Sequence, residues 1–375
     1  MTEAGSNPRV VLAPWLWGAR VDLAVFGGPA LAAFAVVVAA RATSLEAGAL
    51  PEWSWLVFVL GVDVAHVWST LFRTYLDGAE VRRRPVRYLG VPVAVYAMGV
   101  ALHLIGGSLV FWRALAYLAV FHFIRQQVGW TAVYRARAGD RGRLDKLLDE
   151  GVVYLGTLYP LVYWHANLAD RRFSWFVAGD FLEVSAFAAR ALPFARVLFF
   201  VALALFVARQ VERWARTRTV HAGKLLVIAT TVAAWYVGIV ATNSDLDFTV
   251  TNVLVHGVPY LALVWAYARE RRRDAPRALG SRIAAGGAAA FVSLVLVFAW
   301  VEEAAWDRLV WHDREWLFGE AVASPGALAL ALVVPLLALP QATHYVLDAF
   351  IWRRGDTRAL DAQRRALGFR AAPAS

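Results

Sequence analysis

Residues 248–268 read FTVTNVLVHGVPYLALVWAYA, 21 positions without a formal charge, preceded by NSDLD at 243–247 and followed by RERRRD at 269–274. As an α-helix such a run is about 31 Å long, the thickness of a bilayer's hydrocarbon core. Acidic residues stand at one end and arginines at the other, the asymmetry expected of a helix that enters from outside and ends in the cytoplasm. Asn252, His256 and Tyr260 lie within it, one helical turn apart and therefore on one face.

The same reading extends along the chain. Of its 375 residues 60% are hydrophobic, 17 are Trp, and the mean hydropathy is +0.52, whereas soluble domains are about 45–50% apolar. Apolar runs recur at roughly 21–40, 53–73, 88–107, 109–134, 151–165, 193–208, 224–241, 248–268, 284–301 and 327–352. They predict an all-α integral membrane protein, about ten transmembrane helices in one bundle. A tail at 1–20 precedes it and a basic tail at 353–375 follows. The fifth and sixth runs are interrupted by Pro160 and by a polar segment, 166–192. That segment and the tail at 353–370 read as solvated connectors or as interfacial segments.

Net charge is +10 and the pI about 10.2, yet the basic residues sit between apolar runs and act as topology signals, not as a nucleic-acid surface. Counted with the nearer span end, 29 of the 38 Lys and Arg fall at the N-terminal tail, after even-numbered spans and in the C-terminal tail. Eight fall on the other side, and Arg125 lies within a span. Both termini are therefore expected in the cytoplasm of a bacterial inner membrane, the arginine-rich usage (only Lys146 and Lys224 are lysines) fitting a GC-rich genome. The opening MTEAGSNPRVV lacks the features of a cleaved signal peptide. Cysteine is absent, which excludes disulfides and thiolate ligands.

Four of the five even-numbered spans carry a histidine. Span 2 has Asp63, His66, Thr70 and Arg73; span 4 has His122, Arg125, Gln126 and Gln127; span 8 has Asn252, His256 and Tyr260; span 10 has His344 and Asp348. Counting inward from the basic ends puts His66 about 10 Å deep, His344 about 13 Å, and His122 and His256 about 20 Å. A charged side chain at the bilayer centre costs about 2.5–3.5 kcal/mol or more, and such residues face the bundle interior and pair or bind something. A lone intramembrane His is usually a helix–helix hydrogen-bonding residue. Four, each with a polar neighbour at helical spacing, suit iron, zinc, copper or nickel. Asp63 and Asp348 would either ligate the metal or fix the ligating rings from behind. Arg73 and Arg125 read as ion-pair partners of these carboxylates, or Arg73 as a snorkelling residue. His103 reads as core packing, His165 and His312 as solvated outer loop, and His221 as part of a basic inner loop.

The HxxxH and HxxHH clusters of membrane desaturases are absent, as are GxSxG, Walker and HExxH motifs. One His per helix from several helices is similar in arrangement to the Brp/Blh-type membrane β-carotene dioxygenases, a resemblance that implies iron held by histidines of separate helices. HFIRQQVGW (122–130) and HYVLDAFIWR (344–353) resemble segments of uncharacterised bacterial polytopic membrane proteins. In those relatives further histidines stand where this chain has Thr343 and Leu261, and Asn where it has Gly257, so the resemblance implies at most a single metal here.

The function expected is a metal-dependent, non-haem iron oxygenase acting on a lipid-phase substrate such as an isoprenoid, carotenoid or acyl chain. His66, His122, His256 and His344 would hold the metal with Asp63 and Asp348. Tyr260, Gln126 and Arg125 are the candidate catalytic groups, the first two placed to hydrogen-bond dioxygen. The basic cytoplasmic face is where a soluble redox partner would dock. A proton- or ion-coupled transporter is the alternative, since His256-Gly257-Val258-Pro259 is a candidate helix break.

Overall fold

A computed structural model describes residues 11–43, 50–322, 325–353 and 361–369. Its helices follow the apolar runs: α1 (Ala19–Ala42), α2 (Glu52–Arg73), α3 (Pro85–Gly106), α4 (Ser108–Arg137), α5 (Arg143–Ala166), α6 (Ser185–Thr217), α7 (Ala222–Ala241), α8 (Asp245–Asp274) and α9 (Gly287–Trp311). α10 (Ala327–Leu337) and α11 (Leu339–Ile351) form one run bent by 42° at Ala338, ahead of Pro340. Among the described residues eight helices are long and apolar enough to cross a membrane, and the bent pair makes nine. The only strands described, Val11–Leu12 and Thr219–Val220, form one short parallel pair.

The helix at the expected fifth span, α5, is not among those nine. Its first two turns carry Arg143, Asp145, Lys146, Asp149 and Glu150, which leaves an apolar stretch of about 22 Å, short of a bilayer core. It nonetheless runs the depth of the bundle, antiparallel to α6. Arg209 and Arg213 hold Asp145 near one end, and Tyr159 stacks on Phe199 further along. Pro160 is accommodated within it without a break.

α8 is the central post. It is buried over most of its length and packs against α1, α2 and α7. Ser244 caps its start and acidic residues fill its first turn, as the helix dipole favours. The break expected at Gly257 and Pro259 does not occur, and α8 continues through it. Pro lacks the N–H that would hold a carbonyl one turn back. Here that carbonyl is Val255's; one residue on, Gln126 of α4 donates to the His256 carbonyl at 2.9 Å, so a neighbouring helix bonds the α8 backbone beside the gap. The outward surfaces of α3 and α6 are strongly apolar, with Val86, Ile105, Phe187 and Phe194 all more than 70% exposed.

Two segments expected to be solvated or interfacial are packed instead. In 166–192, Phe173 stacks on Phe248, Phe181 is buried, and Trp175 meets Phe123 of α4. In the C-terminal tail α12 (Asp361–Ala366) lies against α8, where Gln363 accepts from Arg73 and Arg365 pairs with Glu270 and Asp274. Trp17 donates to the Ala366 carbonyl and Arg137 to the Trp15 carbonyl. Residues near the two chain ends therefore meet at one end of the bundle.

Candidate metal centre

His66 (α2), His122 (α4), His256 (α8) and His344 (α11) converge. They are at most 3% exposed, and one ring nitrogen from each lies within 4.8 Å of the others. The rings form a closed circuit, with centroid separations of 4.8 Å (His66–His256), 4.9 Å (His256–His122), 4.6 Å (His122–His344) and 5.0 Å (His344–His66). Neighbouring planes are close to perpendicular, at 70–88°.

The ring nitrogens divide into two sets. Nδ1 of His66 is 3.6 Å from Asp63, Nδ1 of His122 is 3.6 Å from Asp348, and Nδ1 of His344 bonds Thr70 Oγ1 at 2.8 Å. Nε2 of His66 and Nε2 of His256 face each other at 3.2 Å, and Nε2 of His122 and of His344 are buried without hydrogen-bond partners. Groups behind three rings thus favour a proton on Nδ1, which turns the Nε2 lone pair inward. A tetrahedral ion with bonds of about 2.0–2.1 Å sets its nitrogens about 3.4 Å apart, so these rings need only close in by around an ångström or less.

Local structure explains the placement. Asp63 and His66 lie at the end of a wide π-helical stretch, Trp55–Val64, a helix irregularity common at functional sites. Gly257 lets α2 approach α8: a Cβ there would lie 2.7 Å from Val62 Cγ1 and 3.6 Å from His66 Nδ1. Phe123 stacks flat on His256 at 3.6 Å, and Tyr345 lies beside His122 at 4.8 Å. Asn252, one turn from His256, and His256 Nδ1 itself have no hydrogen-bond partner for Oδ1 and Nδ1 respectively.

Asp63 and Asp348 therefore stand behind histidines, and the convergent group consists of the four imidazoles alone. Tyr260 is close, its hydroxyl 3.1 Å from Thr70 Oγ1. Gln126 is buried and engaged with the α8 backbone. Arg125 is not at the centre and pairs with neither aspartate; it is exposed and donates to Tyr154. Arg73 likewise pairs elsewhere, with Glu80 at 3.3 Å, the Ile351 carbonyl and Gln363. His165, expected to be solvated, is buried between Tyr117 and the Leu161 carbonyl. Sequence reasoning named Thr70 without giving it a role; its i+4 offset from His66 was the available signal.

Three cavities reach the cluster. One of about 710 Å³ descends from the end carrying Glu302, Glu303 and Arg314 to Asp63 and Tyr345. A second, about 420 Å³ and almost wholly apolar, lies between α2, α3 and α11 and ends on Thr70 and His344. The third, about 680 Å³, lies along α4 and α11 and reaches His122 and Asp348. Compared with known proteins, the chain matches no family model, no curated protein and no solved structure.

Proposed function

We propose that this chain is an integral-membrane metalloenzyme of a bacterial inner membrane. In this reading it crosses the bilayer ten times with both termini cytoplasmic, α5 crossing with its polar first two turns at the inner face beyond the hydrocarbon, and His66, His122, His256 and His344 hold one transition-metal ion. Its reaction is the oxidation of a lipid-phase molecule such as an isoprenoid, carotenoid or acyl chain, with iron as the metal. The observation that carries the reading is the inward convergence of four buried imidazoles, two of them backed by carboxylates. A divalent ion, two carboxylates and four neutral imidazoles sum to zero charge. Without the ion the same site holds two partly buried carboxylates that, among the described residues, pair with no Lys or Arg, which is unfavourable away from bulk water.

The almost wholly apolar cleft between α2, α3 and α11 supports a substrate that arrives from the lipid phase. The chain's own groups have separable tasks. Asp63, Asp348 and Thr70 orient rings; Phe123 and Tyr345 wall the centre against water; Tyr260, bonded to Thr70, is a phenol hydroxyl beside the cluster that would give a proton or hydrogen bond. The metal supplies the redox chemistry.

One observation favours a second reading, proton- or ion-coupled transport. Cavities reach Asp63 and Asp348 from different sides of the imidazole cluster. Metal analysis separates the two. Detergent-purified wild type is expected to carry close to one equivalent of iron, lost in both His344→Ala and His122→Ala. A wild type that takes up no iron, zinc or copper after loading would overturn the metalloenzyme reading and leave transport to be tested. Zinc or copper at one equivalent would keep the centre and replace the redox assignment with the chemistry of that ion.

A further inference from the structure

The 680 Å³ cavity differs from the apolar cleft in its polar groups. Along α4, Phe121, Arg125 and Gly129 follow one another at single-turn intervals on an exposed face, and all three line it. Arg125 lies one turn from the metal-facing His122, and among the described residues its guanidinium has Tyr154 and no carboxylate as partner. Arg353, at the cytoplasmic end of the same cavity, binds the Ala349 carbonyl and likewise meets no carboxylate among the described residues. Two more lining residues keep unanswered polar atoms although more than nine-tenths buried: Trp130 Nε1, a donor, and Gln126 Oε1, an acceptor. A guanidinium without a carboxylate partner, in a cavity also lined by a buried, unanswered N–H, is a site for an oxyanion. The rest of the lining is apolar and aromatic, as pockets of this size for amphiphilic ligands are.

We infer that this cavity binds a long-chain amphiphile with an oxyanion head, a carboxylate or a phosphate, the head between Arg125 and Arg353 and the chain against the aromatic wall. Asp348 opposes an anion at the histidine end, which places the head toward Arg353 and an apolar part of the molecule beside His122. That this amphiphile is the substrate rests on the metalloenzyme reading; that the cavity binds it does not.

The test is equilibrium binding to the full chain in nanodiscs of zwitterionic lipid, with oleate, hexadecyl phosphate and oleyl alcohol as probes. Wild type is expected to bind at least one anion about tenfold or more tighter than the alcohol, the preferred anion identifying the head. Arg125→Gln should lose that preference and Arg125→Lys retain part of it, since Lys keeps the charge without the planar fork. Gly129→Phe tests the cavity independently. A Cβ at Gly129 meets nothing within 4 Å, so the side chain starts in open space and its ring projects into the cavity, where it should block all three probes. Equal binding of anions and alcohol, or anion binding unchanged in both Arg125→Gln and Gly129→Phe, would overturn the assignment. Repeating the titration on chelator-treated protein and on His122→Ala separates the two readings. Arg125-dependent anion binding in a protein that takes up no metal removes the metalloenzyme and keeps this site; metal without anion binding does the reverse.

Discussion

Asp63 and Asp348 stand behind different histidines on different helices, each 3.6 Å from an Nδ1. That distance is too long for a direct hydrogen bond and short enough to orient the ring electrostatically. Thr70 does the same for His344 with a full hydrogen bond. Removing such a partner typically lowers metal affinity 10–100-fold while the ligands remain. Asp63→Asn, Asp348→Asn and Thr70→Val should therefore each bind the metal about 10–100-fold more weakly, read by competition with a chromogenic chelator, in proteins that fold as the wild type does. Unchanged affinity in all three would mean that the carboxylates and the hydroxyl serve packing alone. The residues involved were legible in the sequence as polar groups at helical spacing, because the penalty for burying them is large. Their division into ligands and supports was not. Asp63 is three residues from His66, but the partner of His122 is Asp348, more than two hundred residues away, and only packing brings them together.

At the scale of helices, length and hydropathy located nearly everything that the centre needs, since α2, α4, α8 and α11 coincide with expected spans. The misread parts have their own physics. α5 is too polar over its first two turns to qualify as a span, yet it crosses the bundle because Asp149 meets Lys224 at 2.9 Å and Arg135 at 3.1 Å. Segments 166–192 and 361–369 have too few consecutive apolar residues to announce burial, and they are held by scattered aromatics and single hydrogen bonds. The contact between α2 and α8 was hidden for another reason: it depends on an absent side chain. With Val62 Cγ1 2.7 Å from the place of a Gly257 Cβ, Gly257→Ala forces the helices apart beside His66. Overpacking of this kind costs about 1–3 kcal/mol. A lowered melting temperature together with reduced metal affinity is the expected outcome, whereas Gly129→Ala, which meets open space, should change neither.

The molecule as a whole is polarised, with ion pairs gathered at the end where the chain termini meet. There burial alone would raise the Asp77 carboxyl, but Arg271 and the Tyr267 hydroxyl outweigh it and hold Asp77 below the usual carboxylate range. At the same end burial and the adjacent Arg213 and Lys224 push the His221 imidazole down to about 4, against the opposing pull of Asp140 and Asp145. The two shifts act in successive windows. Between about pH 6.5 and 4 the unfolded chain takes up the His221 proton and the folded one does not, so stability falls on acidification; below about 4 the Asp77 contribution is lost as well. Measured by tryptophan fluorescence, the melting temperature of wild type relative to His221→Gln should thus be constant above about pH 6.5 and fall between about 6.5 and 4, the Asp77 loss below that being common to both. The same polarity predicts an orientation. If the basic end is cytoplasmic, exposed Arg141 lies inside and exposed Ala178, on the cavity that carries Glu302 and Glu303, lies outside. The chain has no cysteine, so single substitutions report position without background. Ala178→Cys should react with a membrane-impermeant maleimide applied to spheroplasts, and Arg141→Cys only after lysis. The opposite labelling would invert the protein, moving the cavity that ends on Asp63 to the cytoplasmic side and the Arg353 mouth of the amphiphile site to the outer leaflet.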